Sequence, residues 1–261
     1  MTRRAAAIFA AVVALLALVE TGVALTARAR VATDADWQAA AAEVRAGFTA
    51  GDVITFAPAW VDQIGRAYLG DLVTVEMAGR SDDDRYARIW EVSIRDEHAP
   101  ETNGARLVRE SKHGRVRVAL YEKAATPVLY DFTQHAQELV GGRFAVRTME
   151  LDYRPRRGIL VQPGPQPTTY EWREVPLGAS LVVYAGLHDY YARKSADGIV
   201  DVRIAIDGVE KLHTQVANAD GWRRFDLDTR ALAGTRHTVT FTVAAPNPAW
   251  RNLGFHAEAR Q

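Results

Sequence analysis

The chain has 261 residues, enough for one large or two ordinary domains, and 48% of them are hydrophobic, as in folded globular proteins. The 32 basic and 32 acidic residues give a net charge of zero, which argues against general nucleic-acid binding because that function needs a positive surplus. Cysteine is absent, which excludes disulfides, thiolate metal sites and a cysteine nucleophile.

The N-terminal segment is apolar. Arg3 and Arg4 precede an uninterrupted run without polar side chains from Ala5 to Val19. A basic start followed by an apolar core is typical of secretory segments, and about 20 residues cross a bilayer core. The sequence therefore predicts a membrane helix through residues 5–25 and a body on the extracytoplasmic side, periplasmic or extracellular. The alternatives are a signal peptide within residues 1–30 and a buried helix.

Residues 31–125 predict a small α/β domain. Thr33 with an acid three residues later, Asp36, is a helix start, and apolar residues then recur at helical spacing until Gly51. Short runs with apolar residues at every second position predict strands at 53–56, 72–77, 89–94 and 115–120.

Residues 51–60 carry a short resemblance of their own. Gly51 and Asp52 open a strand that is followed by Pro58 and Trp60, and this order resembles the start of the extracytoplasmic domains of some membrane glycosyltransferases. The resemblance implies a cell-envelope setting and carries over no catalytic residue. Core packing is the preferred interpretation for Trp60 and Trp90.

Residues 126–261 predict an antiparallel β-sandwich. About eight runs alternate between apolar and polar residues, and Gly, Pro and Asp turns separate them. The alternation places Val202, Ile204, Val239 and Phe241 on inward faces. The prolines of 162–167 predict a long loop inside this unit. The fold class is therefore α+β overall: a membrane helix, a small α/β unit and a sandwich.

The second unit resembles galactose-binding-like jelly rolls, the fold of many carbohydrate-binding modules. The resemblance rests on the strand, turn and aromatic positions in 181–189, 202–208, 221–223 and 250–255. It implies a ligand site in loops at one end of the sandwich, without naming the ligand.

The sequence carries none of the common short signatures of catalysis. No two of the seven histidines lie within four residues of each other, and the chain has neither a Gly-x-Ser-x-Gly elbow nor a phosphate-binding glycine loop. No catalytic residue, metal ligand or cofactor is therefore predicted. Asp82, Asp83 and Asp84 suit a cation, but a solvated loop is the preferred interpretation.

The predicted ligand-binding residues are aromatic and polar side chains next to strand ends. Aromatic faces beside hydrogen-bond donors suit sugar rings, which have apolar C–H faces and hydroxyls that need partners. The alternative is that the tryptophans close the ends of the core. The set is His188, Asp189, Tyr190, Tyr191, Arg193, Trp222, Arg223, Trp250 and Arg251. Whether these loops share one end depends on a topology that the sequence leaves open.

Together these observations predict a membrane-anchored extracytoplasmic protein whose sandwich binds a glycan or another envelope component. The first alternative is an enzyme acting on envelope carbohydrate, with a cleft between the two units. The second is a structural component of an envelope complex that binds protein. The sequence favours binding over catalysis and leaves any protein partner unidentified.

Overall fold

A computed structural model describes residues 3–28, 31–78, 82–152, 154–188, 199–217, 220–248 and 251–261. The chain divides into two compact units. The first comprises Met1–Gly70 and Ile89–Glu122, and the second comprises Asp71–Arg88 and Lys123–Gln261. The segment Asp71–Arg88, which the sequence prediction placed within 31–125, thus lies with the second unit.

Four α-helices are present in the described residues: α1 (Arg3–Arg28), α2 (Asp34–Gly47), α3 (Asp62–Leu69) and α4 (Val75–Ala78). Helix α2 begins as predicted, because the Thr33 side chain accepts from the Asp36 N–H and the Asp36 carboxylate accepts from the Thr33 N–H. It buries Trp37, Ala41 and Val44. The predicted strand at 72–77 is wrong, because its second half is helix α4; three alternating apolar residues were too few to distinguish the two structures.

Helix α1 is apolar and exposed. The side chains described between residues 9 and 24 are all exposed, including Phe9, Leu16 and Leu18. Among the described residues, no helix is both long and apolar enough to cross a membrane. The membrane helix predicted for residues 5–25 is not supported by this finding.

The first unit contains a four-stranded sheet with the order β1-β2-β4-β3. Its strands are β1 (Asp52–Ala57), β2 (Arg88–Ile94), β3 (Arg106–His113) and β4 (Val116–Glu122). Strands β1, β2 and β4 were predicted and are largely buried, whereas β3 is largely exposed and was not predicted. Trp90 is fully buried as expected and donates its indole N–H to Asp52 at 2.9 Å.

The second unit is built from two antiparallel sheets. One has the order β13-β10-β15-β8-β7, with β5 also paired to β15, and the other has the order β12-β11-β14-β9-β6. The strands are β5 (Val128–Asp131), β6 (Val140–Gly141), β7 (Phe144–Leu151), β8 (Arg154–Val161), β9 (Thr168–Pro176), β10 (Ser180–Leu187), β11 (Ile199–Ile206), β12 (Val209–Ala217), β13 (Arg223–Asp228), β14 (Arg236–Ala244) and β15 (Leu253–Arg260). Four short 3-10 helices complete the described chain: Ala59–Val61, Pro100–Thr102, Ala136–Glu138 and Arg230–Leu232.

The core of the second unit lies between these two sheets, which confirms the predicted sandwich. The four residues predicted to face inward are all buried: Val202, Ile204, Val239 and Phe241. From the opposite sheet, β10 and β15 contribute Val183 and Phe255 among others. The Phe241 and Phe255 rings stack across the core with their centroids 4.8 Å apart.

Candidate functional site

Strand register brings the end of β10 and the starts of β13 and β15 to one end of the sandwich. Strand β10 ends and β15 begins at the paired residues Leu187 and Leu253, so the next residue, His188, donates its N–H to the Asn252 carbonyl at 2.9 Å. On the other side of β10, Arg223 at the start of β13 pairs with Ala185. The described residues therefore place the end of β10 and the starts of β13 and β15 at the same end of the sandwich, a point that the sequence left open.

Trp222 lies on the outer face of the six-stranded sheet, the face turned away from the core. Its ring rests over Gly254, where an added Cβ would stand 3.2 Å from the indole. The indole N–H donates to the Arg154 carbonyl at 2.9 Å, and the Arg156 guanidinium carbon is 5.8 Å from the ring centroid. The ring is half-buried. Trp222 therefore does not close the end of the core, which was the alternative to a binding role.

The Arg223 side chain lies on the opposite face of the sheet from the Trp222 ring. Its guanidinium carbon is 5.0 Å from the centroid of the Phe225 ring, which packs against the core, and its Nη1 donates to the Gln215 carbonyl at 2.6 Å. The Trp222 ring thus lies over Gly254 on the outer face, whereas the Arg223 guanidinium lies over Phe225 on the core-facing side. Their joint role in ligand binding stays a prediction.

The Arg251 side chain, predicted as a ligand donor, is fully buried, and its backbone N–H donates to the Pro248 carbonyl at 3.2 Å. His188 is half-buried beside Asn252. The remaining predicted residues lie outside the described residues: Asp189, Tyr190, Tyr191, Arg193 and Trp250.

The outer face carries further aromatic and cationic groups that the sequence analysis missed. The guanidinium carbon of Arg156 is 3.5 Å from the centroid of the Tyr184 ring, and that of Arg224 is 5.9 Å from it. Burial lowers the pKa of Arg156 and raises the pKa of Tyr184. The sequence signal for such a polar outer face is the alternation of polar with apolar residues on β15, where His256 and Glu258 separate core residues.

Ion pairs fill the deeper part of this face. Arg260 donates to Glu258 at 2.6 Å and to Asp82, and Arg85 donates to Glu258 at 3.0 Å. Burial by itself raises the pKa of Glu258, but the hydrogen bond from His256 and the positive charges of Arg260 and Arg85 outweigh it and lower this pKa to about 2. The carboxylate is therefore a fixed negative charge at neutral pH.

The acidic run Asp82–Asp84 is part of this network. The Asp82 side chain is 5% exposed and binds Arg260 and the Tyr184 hydroxyl, while Asp83 binds Lys123. Asp84 binds Arg224 at 2.9 Å. Each carboxylate of the run thus faces a positive side chain, and Asp82 is buried whereas Asp83 and Asp84 remain partly exposed.

One group among the described residues has the composition of a metal site. Ligand atoms of Asp131, His256 and Glu258 lie within 4.8 Å of one another, and all three residues are buried. Arg85 and Arg260 already bind the Glu258 carboxylate, and their charges oppose a divalent cation there. The Asp131 carboxylate accepts from the Thr133 N–H at 2.8 Å. These partners favour an ion-paired network, and we assign no metal to it.

No protein-family model and no curated protein match this chain. Among solved structures, the chain is similar to carbohydrate-binding modules of families 51, 36 and 35. The family 51 module from Clostridium perfringens GH95, solved with methyl-galactose, is 10% identical and covers 47% of this chain and 92% of its own, with a TM-score of 0.37. The family 35 module from Clostridium thermocellum is 12% identical. The similarity covers 47% of this chain and 92% of the module, with a TM-score of 0.33.

A longer structure is also similar. The second family 51 module with the INT domains of Clostridium perfringens ZmpB, solved with GlcNAc, is 14% identical and covers 65% of this chain, with a TM-score of 0.38. This chain spans 40% of that structure's length. These neighbours belong to the class of domain that the sequence resemblance named. The function proposed below rests on the side chains of this chain.

Proposed function

We propose that the sandwich binds a glycan at the end where Trp222 lies. The proposal rests on the position of the Trp222 indole. The ring is half-buried over Gly254, and its N–H donates to the Arg154 carbonyl. The Arg156 guanidinium lies beside the ring. A ring fixed in this way loses little conformational freedom when a ligand stacks on it.

The chemistry of this end suits a saccharide. An indole face matches the apolar C–H face of a sugar ring. The Glu258 carboxylate is held by Arg260 and Arg85, and its pKa of about 2 leaves it without a proton for acid catalysis at neutral pH. A binding role therefore fits these residues better than hydrolysis, and a shallow site of this kind binds in the micromolar to millimolar range.

The test is a glycan array probed with the full chain in mild detergent. Wild-type protein should bind at least one envelope-type glycan, Trp222→Ala should abolish that signal, and Trp222→Phe should retain part of it because the stacking face remains. Melting curves verify that both variants are folded. A blank array for folded wild-type protein, or equal binding by Trp222→Ala, would contradict the proposal.

We further propose that α1 attaches this protein to a membrane, with the body on the extracytoplasmic side. The support is the row of exposed apolar side chains along the helix after Arg3 and Arg4. Full-length protein should stay with membranes through an alkaline carbonate wash, and protease added outside the cytoplasm should digest the body. Recovery of a soluble form that begins near residue 30 would indicate a cleaved signal peptide instead.

A further inference from the structure

Trp60 is an exposed tryptophan in the first unit. Its side chain is 56% exposed, although the sequence predicted that it packs in the core. The 3-10 helix Ala59–Val61 and helix α3 explain the outward position: Val61, Gly65 and Leu69 face inward at helical spacing, which leaves Trp60 and Ile64 outside.

Close packing prevents this segment from rotating. Gly65 lies directly against the Phe56 ring, where an added Cβ would overlap the ring atoms. Val61 is fully buried on the same side of the helix. Helix α3 is therefore held against β1 in one orientation, and the Trp60 ring is presented to solvent from a rigid element.

A strained turn places a guanidinium group over this ring. The Glu97 N–H donates to the Ile94 carbonyl at 3.2 Å, and the two residues between them, Arg95 and Asp96, have φ values of 61° and 57°. Left-handed backbone is unfavourable for a residue such as arginine, and such strain concentrates at functional sites. The turn sets the Arg95 guanidinium carbon 5.3 Å from the Trp60 ring centroid.

His98 follows in the same turn and is oriented by a buried carboxylate. Its Nδ1 lies 3.2 Å from Glu91 Oε1, and Glu91, which is fully buried, also accepts from the Ala99 N–H at 2.7 Å. The imidazole is 56% exposed. Among the described residues, Nε2 of His98 has no hydrogen-bond partner, so it faces outward and is held in place by the bond that Nδ1 makes.

The unused hydrogen-bonding groups of this surface point to the class of ligand. The indole N–H groups of Trp90 and Trp222 both donate hydrogen bonds within the protein. The indole N–H of Trp60 has no hydrogen-bond partner among the described residues. The Arg95 guanidinium likewise makes no hydrogen bond within the described chain. An apolar ring with its own free N–H, a guanidinium group 5.3 Å away and an imidazole acceptor three residues after that arginine suits a ligand ring that carries hydroxyl groups.

The charged side chains around Trp60 favour a neutral saccharide over other ligands that stack on aromatic rings. Asp96 and Glu97 are exposed in the same turn, and the Glu91 carboxylate lies beneath His98. Lys112 Nζ lies 3.5 Å from Asp96 and Arg117 donates to Glu91, so the charges around the ring largely balance and offer the phosphates of nucleotides and anionic lipid headgroups no net attraction. We propose that Trp60, Arg95 and His98 form a second binding site, in the first unit, for a neutral saccharide. This site is separate from the Trp222 site and does not depend on it.

The test uses the indole N–H signals of the full ¹⁵N-labelled chain in detergent, assigned with Trp60→Phe and Trp222→Phe. The probes are soluble tetrasaccharides of the cello, chito, malto and galacto series, with oligogalacturonate as the charged comparison. The Trp60 signal should shift and saturate with at least one neutral probe. Arg95→Ala should weaken that affinity about threefold to tenfold, as expected for loss of a hydrogen-bond donor. Trp222→Phe should leave the Trp60 shift unchanged.

Two outcomes would overturn this proposal. A Trp60 signal that stays fixed with every saccharide excludes the site, whatever the Trp222 signal does. A Trp60 signal that moves only with phosphatidylglycerol-containing bicelles identifies a membrane-contacting surface instead. Because the two indoles are read separately, failure of the Trp60 site and failure of the Trp222 site are distinguishable in one titration.

Discussion

Glu258 and Arg260 lie two residues apart on β15, and Arg260 Nη2 donates to Glu258 Oε2 at 2.6 Å on the outer face of the sheet. The intervening residue, Ala259, is buried in the core on the other face. A single strand thus contributes to the apolar core and to a buried ionic network. This arrangement predicts how the stability of the second unit responds to pH.

Acid should weaken the second unit through Glu258. The folded-state pKa of this carboxyl is about 2, below its ordinary value of 4.5, so the stabilisation is fully present above about pH 4.5 and is lost as the pH falls toward 2. A shift of this size corresponds to roughly 3 kcal/mol of unfolding free energy. Urea unfolding at pH 7 and pH 3 should show Glu258→Gln destabilised at pH 7, with a smaller loss on acidification than wild type.

A matched control for that experiment is Glu150→Gln, which changes an exposed glutamate on β7. The control should follow the wild-type pH dependence. If Glu258→Gln and the control behave alike at both pH values, the network contributes nothing measurable and our assignment of its strength is wrong.

The sequence predicted the sandwich well because its strands bury one face. In β11 and β14, residues such as Val202 and Phe241 alternate with polar ones, and this period of two follows directly from backbone geometry. Strand β3 was not predicted because it lies at the edge of its sheet and is mostly exposed, so nothing requires its residues to alternate.

The candidate site was less predictable because its contacts join distant parts of the chain. Trp222 was identified from its position next to a strand end, but its partner Arg154 is 68 residues away. Nothing local to Asp82 indicates that its carboxylate binds Arg260, 178 residues later. Similarly, Trp60 and Trp90 look alike in sequence, and only the packing of α3 separates the exposed ring from the buried one.

Truncation of Phe241 should test which residues of β14 face the core. This ring contacts Trp172 and Phe255 with centroid distances of 5.7 and 4.8 Å and is fully buried. Phe241→Ala should lower the free energy of unfolding by about 3 to 5 kcal/mol, as for other buried aromatic truncations. Thr240→Ala, which changes the opposite face of the same strand, should cost less than about 1 kcal/mol. Equal losses in chemical denaturation would disprove the assigned phase.

Gly65→Ala should destabilise the first unit, although alanine is normally the better residue inside a helix by about 1 kcal/mol. The reason is contact: the added methyl group would overlap the Phe56 ring, and the backbone of α3 must move to relieve it. Overpacking of this kind costs about 1 to 3 kcal/mol. Gln63→Ala, at an exposed position of the same helix, should be neutral or slightly stabilising. A more stable Gly65→Ala protein in thermal unfolding would contradict the packing of α3 on β1.

Asp82 and Asp83 are adjacent and chemically identical, yet they should respond differently to the same substitution. The Asp82 side chain is 5% exposed and binds the equally buried Arg260, whereas Asp83 is 34% exposed and binds Lys123. Removing one partner of a buried ion pair leaves the other charge unsatisfied, so Asp82→Asn should cost about 2 to 4 kcal/mol. A partly exposed pair is screened by water and contributes less, so Asp83→Asn should cost less than about 1 kcal/mol. Urea denaturation of both variants measures the difference. Small and equal losses would restore the solvated-loop interpretation that the sequence alone favoured.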